Sequence, residues 1–283
     1  MLTESQIAHF RTFGFVVLPN LFSENETETM VAEFELGREV SIQYGNSIAD
    51  KRLTQWSNTH PEFPFIAGML EDQRFCSAAE QLLEKGFVGA FANSNRRGGD
   101  TAWHPDHSNP SLRAFKFTTY LQPLRSDTGA LRFIPGSHLQ PFHNDVNCLL
   151  KENFPDRLTF SVPSELNEEK DALNNIPSYP CETNPGDVVA FDMRIYHAAQ
   201  GGSLDRRQLT FCYIGLPRTP DEVIATQEVS EAIAGTHRGL AVRDETGASR
   251  PHYHPDWIAN PTGSPMRQHW IDKLFAWEIA DKP

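Results

Sequence analysis

Thr101-Ala102-Trp103-His104-Pro105-Asp106-His107 is the stretch from which this chain is best read. One residue separates His104 from Asp106, and on an extended strand residues i and i+2 share a face. Both side chains can then reach one ion, whereas His107 has the opposite parity. A second imidazole is available far downstream in Asp192-Met193-Arg194-Ile195-Tyr196-His197. It follows a turn and an apolar run, Pro185-Gly186-Asp187-Val188-Val189-Ala190-Phe191. Two imidazoles and one carboxylate can grip one face of an iron(II) ion and leave the other face open. An isolated His-x-Asp is commonplace. The reading rests on the ordered combination of His-x-Asp, a Pro-Gly-Asp strand, a later His and then Arg206, whose guanidinium can hold a dicarboxylate cosubstrate. A structural zinc site would ask for Cys or a fourth protein ligand, while a catalytic zinc held by His, Asp, His and water stays compatible with the pattern.

Around this stretch the chain is β-rich. From Phe87 onward, short runs at 88–93, 114–121, 130–134, 188–192 and 208–216 alternate with Gly, Pro and Asn punctuation, as in an all-β sandwich or barrel. The N-terminal third reads helix, strand, helix. Thr3 caps a helix with Ile7, Phe10 and Phe13 on one face, Gly14 ends it, and Phe15-Val16-Val17-Leu18 is a short strand. Ser23 caps a second helix over roughly 24–40, and a third falls near 72–84. Residues 140–180 hold few periodic signals and read as a long loop or insertion. A last amphipathic segment lies near 269–279. The expectation is one domain over 1–283. Within it, residues 1–86 are mainly helical, residues 87–216 form a β core carrying the 140–180 insertion, and residues 217–283 are a C-terminal extension.

Composition narrows the function. Hydrophobic residues at 39%, with 19 Phe and 5 Trp, supply a sizeable core and argue against disorder. A formal charge of -12 argues against a nucleic-acid partner, which would need clustered Lys and Arg. No apolar run approaches the about 20 residues of a membrane span. The four cysteines form no CxxC pair, and the opening MLTESQIAHF reads as an amphipathic helix, not a secretory signal. Reduced thiols and a cytoplasmic location are the expectation.

Three motifs carry a resemblance. They are Trp103-His104-Pro105-Asp106; Thr128-Gly129-Ala130-Leu131-Arg132-Phe133-Ile134-Pro135-Gly136-Ser137-His138; and Pro185-Gly186-Asp187 through His197, followed by Arg206-Arg207-Gln208-Leu209-Thr210. On these motifs the chain resembles the phytanoyl-CoA dioxygenase (PhyH) family of Fe(II)/2-oxoglutarate oxygenases, from the opening helix to about Leu216. The resemblance implies a mainly β fold with flanking helices around a double-stranded β-helix (jelly-roll, cupin-like) core. It implies His104, Asp106 and His197 as iron ligands, and 2-oxoglutarate and O2 as cosubstrates. It implies that Arg206, rather than Arg207 of opposite parity, forks onto the far carboxylate of 2-oxoglutarate, with Thr101 and Asn93 as further cosubstrate contacts.

The implied reaction is hydroxylation of a C–H bond in a small organic substrate, with release of succinate and CO2. Asp106 sets the chain apart from related halogenases, which carry Ala or Gly there. For the substrate, His107, Arg96 and Arg113, together with Asn95, Arg97 and Lys116, flank the expected mouth and suggest a polar or anionic group. Phe142, His143 and Asn144, and the cluster His252, Tyr253 and His254, are further candidates for the pocket wall. His138 and Asp187 read as turn-shaping residues and Trp103 as core. The alternatives are a divalent-metal hydrolase or isomerase on the same barrel, which would not need Arg206, or a non-catalytic metal-binding or sensing protein.

Overall fold

The short β-rich runs pair into two antiparallel sheets in the computed structural model, which describes residues 1–43, 53–153, 176–201, 205–239 and 253–280. The larger sheet has the order β1 (Phe15–Leu18), β8 (Val188–Asp192), β5 (Ala114–Tyr120), β10 (Arg206–Gly215), β3 (Phe87–Arg97) and β2 (Leu53–Ser57). The smaller has the order β4 (Thr101–His104), β9 (His197–Ala199), β6 (Leu131–Phe133) and β7 (Tyr179–Cys181). Strands remote in sequence are neighbours, with β1 and β5 flanking β8. This is the jelly-roll architecture expected from the sequence. The helices are α1 (Glu4–Phe13), α2 (Glu24–Gln43), α3 (Pro64–Met69), α4 (Gln73–Leu83), α5 (Phe142–Asn153), α6 (Pro220–Gly239), α7 (Pro255–Ile258) and α8 (Arg267–Ala276).

The two faces of the larger sheet differ in chemistry because side chains alternate along a strand. On β5 and β10, Phe115, Phe117, Leu209, Phe211 and Tyr213 belong to the helix-covered core. Phe75 of α4 stacks on Phe117 with ring centroids 4.3 Å apart, and the Trp270 indole of α8 donates to the Phe87 carbonyl at 3.0 Å. Between the sheets, Phe15, Tyr120, Val189 and Phe191 meet Leu131, Phe133 and Cys181. On the far side of the smaller sheet, Trp103, Ile134 and Tyr196 pack with Val146 and Leu150 of α5.

Capping follows the sequence. Thr3 and Gln6 form a capping box on α1, and Gly14 closes it in the left-handed conformation at φ 84°. Ser23 and Glu26 exchange the equivalent bonds ahead of α2. Other expectations need correction. The 140–180 segment is not wholly loop, because it contains α5. That helix shows Val146 and Leu150, one turn apart, to the core, but it also exposes Phe142 and Leu149, which blurs its pattern. Strand β2 and helices α3 and α6 were not foreseen. Phe13 is 41% exposed while Phe10 is buried, so α1 buries a narrower face than its spacing suggests. The cysteines are free. Among the described residues, no helix is long and apolar enough to cross a membrane.

The Pro-Gly-Asp turn before β8 is held from two sides. Asp187 accepts the Asn20 N–H through Oδ1 and the Asn184 N–H through Oδ2, both at 2.8 Å. Gly186 sits at φ 95°, its carbonyl accepts the Phe22 N–H at 3.1 Å, and a Cβ there would lie 2.7 Å from the Phe22 oxygen. Gly186→Ala therefore lowers stability by about 2–4 kcal/mol in equilibrium denaturation. Gly68→Ala, on α3 with no described atom within 4 Å of the added carbon, raises it by about 0.5 kcal/mol.

Candidate metal centre

Antiparallel pairing of β4 with β9 sets His104 directly opposite His197. Their ring centroids are 4.4 Å apart. The strand ends at His104, so Asp106 lies in the bend beyond it and not on the same strand, as the parity reading supposed. Pro105, which has no N–H, ends the ladder. A clasp between two turns brings Asp106 back. The His107 N–H donates to the Met193 carbonyl at 3.0 Å, and Arg194 Nη1 donates to the Pro110 carbonyl at 2.7 Å. Arg194 is itself forked onto Asp192, with Nε–Oδ1 2.9 Å and Nη2–Oδ2 2.7 Å. As a result one ligand atom from each of His104, Asp106 and His197 lies within 4.8 Å of the others, the one such group among the described residues.

The hydrogen bonds select the ring nitrogens that could face a metal. His104 Nδ1–H donates to the Ala102 carbonyl at 2.7 Å, and His197 Nδ1–H donates to the Ile195 carbonyl at 3.0 Å. Only a protonated ring nitrogen can donate to a carbonyl, so the lone pair of each ring is on Nε2. Burial pushes both imidazoles below their usual range; for His104, burial with His197 alongside brings it down to about 3. Both are neutral, as ligation requires. Burial alone would raise the Asp106 carboxyl, but the Lys116 ammonium and the two imidazoles outweigh it and bring the group down to about 2, so it is ionised. Lys116 Nζ lies 2.7 Å from Asp106 Oδ1. Asp106 Oδ2 is buried without a hydrogen-bond partner among the described residues, 3.9 Å from His197 Nε2. An unanswered buried anionic oxygen is costly, and a cation between it and the two Nε2 atoms would relieve it. Two neutral nitrogens and one hard oxygen fit iron(II) with vacant positions and do not make a closed structural zinc site.

The wall beside this cluster is polar. Arg206, 2% exposed, donates to Thr101 Oγ1 at 3.4 Å and to the Gly129 carbonyl at 3.3 Å. Arg207 points to the other face, 3.4 Å from Glu35 of α2. Asn93 is buried on β3 opposite Thr210 and accepts from Asn95 Nδ2 at 3.3 Å. Gln208 Nε2 donates to Thr118 Oγ1 and Thr210 Oγ1, at 3.0 and 3.2 Å, and these two hydroxyls are 3.1 Å apart. Sequence reasoning passed over this group, although Lys116-x-Thr118-x-Tyr120 and Arg206-x-Gln208-x-Thr210 announce it as polar residues on every second strand position.

Several expected substrate residues do not reach the cluster. His107 is half-buried, and its Nδ1 accepts the Asn109 N–H at 3.2 Å, so it braces a turn. Arg96 is opposite Arg207 in register and pairs with Asp205 at 2.6 Å, on the helix side of the sheet. Arg113 donates to the Leu216 and Glu84 carbonyls and lies 3.6 Å from Glu222, tying strand ends to α6. Strand parity explains both arginines, since neither shares the face of Lys116 and Thr118. His143 is buried with Nδ1 on the Ser137 carbonyl, Phe142 is exposed, and Tyr253 is anchored in the helical core through the Gly89 carbonyl. His254 caps α7, and His252 lies outside the described residues. His138, donating from Nε2 to the Arg11 carbonyl at 3.2 Å, holds the Pro-Gly-Ser-His turn against α1.

Comparison with known proteins identifies the family. Residues 10–208 match the family Phytanoyl-CoA dioxygenase (PhyH). The ectoine dioxygenase of Bordetella bronchiseptica is 25% identical over 224 residues, covering 70% of each chain. Among solved structures, HygX from Streptomyces hygroscopicus with nickel, 2-oxoglutarate and hygromycin B bound has a TM-score of 0.57 at 19% identity, covering 77% of this chain and 89% of that one. EctD from S. alaskensis with 2-oxoglutarate and 5-hydroxyectoine has a TM-score of 0.53 at 20% identity, covering 76% of each. With 199 consecutive residues matched (10 to 208), the chain belongs to the phytanoyl-CoA dioxygenase (PhyH) family.

Proposed function

We propose that this chain, an iron(II)- and 2-oxoglutarate-dependent dioxygenase by family, hydroxylates a C–H bond of a small polar or anionic organic molecule, with release of succinate and CO2. The observation that carries the reading is the buried, unanswered Asp106 Oδ2 beside His197 Nε2. His104, Asp106 and His197 would hold the iron. When bound, the metal supplies the coupling of dioxygen reduction to oxidative decarboxylation of the cosubstrate.

The rest falls to the protein. Arg206 is buried, and its hydrogen bonds go to neutral oxygens. A guanidinium so placed favours an anion, and its planar fork matches a carboxylate. Thr101, which accepts from Arg206, sits three residues before His104 and so links the arginine to the cluster along one strand. Thr118, Thr210, Gln208 and Asn93 offer hydroxyls and amides to a polar ligand between the sheets. The aromatic packing of Phe15, Phe133 and Phe191 closes the neighbouring interior and keeps water out. The names of the relatives also point to small-molecule substrates, ectoine in one case and a hygromycin B-bound structure in another.

The decisive assay is succinate release by iron-loaded protein across a panel of small polar compounds. Substrate-dependent release supports the reading, and a hydrolytic product formed without 2-oxoglutarate refutes it. Arg206→Ala raises the KM for 2-oxoglutarate about 30-fold or more, the scale of leaving a buried carboxylate without its partner, while Arg207→Ala leaves it unchanged. Under anaerobic conditions, Fe(II) plus 2-oxoglutarate gives a weak visible charge-transfer band in the wild type. His104→Ala and His197→Ala lose that band together with metal affinity.

A further inference from the structure

Lys116 is a half-buried cation whose role the reaction outlined above leaves open. It sits in the middle of β5, opposite Phe191 on β8 and Cys212 on β10. Its ammonium lies 5.3 Å from the centre of the Phe91 ring. The immediate neighbours on both adjoining strands are thus apolar. Its side chain is 14% exposed, and Asp106 Oδ1, at 2.7 Å, is the acceptor it meets. A desolvated ammonium in such a place is destabilising unless a carboxylate answers it. The two groups are therefore committed to each other.

The commitment is one-sided within the carboxylate. Oδ1 is taken by the ammonium. Oδ2 has no hydrogen-bond partner among the described residues and faces His197 Nε2 at 3.9 Å. A free carboxylate can offer a metal either one oxygen or both. With both, it would occupy a further coordination position. A six-coordinate ion with two imidazoles and one oxygen keeps about three positions open, enough for a chelating 2-oxo acid and dioxygen. With both Asp106 oxygens bound, one of those positions is lost.

We propose that Lys116 is a positioning residue that holds Asp106 to single-oxygen ligation, occupying Oδ1 so that Oδ2 alone faces the metal. This rests on the iron-site reading given above. Lys116 acts through Asp106 and takes no share in binding the far carboxylate of 2-oxoglutarate, which is assigned to Arg206 on another strand.

The test uses Mn(II) as a probe and counts its bound waters, by oxygen-17 electron–nuclear double resonance or by water-proton relaxation, in the whole protein without cosubstrate. The wild type and Lys116→Arg, which keeps a cationic donor, retain about three waters. Lys116→Met, close in length but uncharged, retains one fewer while still binding Mn(II). Its substrate-dependent succinate formation at fixed O2 falls about 10- to 100-fold, the range for loss of a group that orients a ligand. An unchanged water count in Lys116→Met overturns the proposal, even if affinity or activity drops. So does a Lys116→Arg protein that loses a water while folded. A wild type that does not bind Mn(II), or binds it equally well with His104→Ala, sinks the iron-site reading itself and this proposal with it. The two failures are thereby distinguished.

Discussion

Everything at this site depends on one cross-strand register, His104 opposite His197 on β4 and β9. The side-chain period along a strand is two, so slipping either strand by a single residue would turn one imidazole to the far face, toward Trp103 and α5. The register is enforced from outside the pair. Ser137 Oγ accepts the Tyr196 N–H at 2.9 Å, immediately before His197. Trp103 and Tyr196, the residues preceding each histidine, are 1% exposed and packed in the same cluster. Apolar burial on one face thus fixes the polar geometry on the other.

The electrostatics follow from that placement. Two neutral imidazoles and an ionised carboxylate sit close together in a poorly solvated interior. The one compensating charge among their described contacts is Lys116. A divalent ion would answer Asp106 Oδ2, which meets no hydrogen-bond partner among the described residues. The polar wall of β3, β5 and β10 extends from this point to the Arg206–Thr101 bond. The interior is therefore graded, from an aromatic end at Phe15 and Phe133 to a hydrogen-bonding end at Arg206.

Much of this was legible in the residues. The β-rich core, the α1 and α2 caps and β8 with its stated bounds follow from periodicity and capping, while the jelly-roll form of that core came from the family resemblance, and the choice of Arg206 over Arg207 for the inner face from that resemblance together with parity. The candidate trio His104, Asp106 and His197 was named from spacing and resemblance together, and the structure brings their ligand atoms within 4.8 Å of one another, although a clasped turn and not strand parity places Asp106. Arg96 and Arg113 were misjudged because a basic residue near a strand end says nothing about which face it serves until the register is known. Lys116 was grouped with the mouth, although its place within an alternating Lys-x-Thr-x-Tyr strand already assigned it to the interior. α5 escaped notice because its core contacts are few and its exposed side is also apolar.

The Pro-Gly-Ser-His turn has a reach beyond its own length. Gly136 N–H donates to the Phe13 carbonyl at 2.9 Å, His138 holds the Arg11 carbonyl, and Ser137 steadies the approach to His197. The end of the first helix and a strand of the candidate metal centre are thereby mechanically joined through three consecutive residues. Trimming the protein back past α1, a common step in preparing crystals or fusions, would detach an anchor of the strand that carries His197.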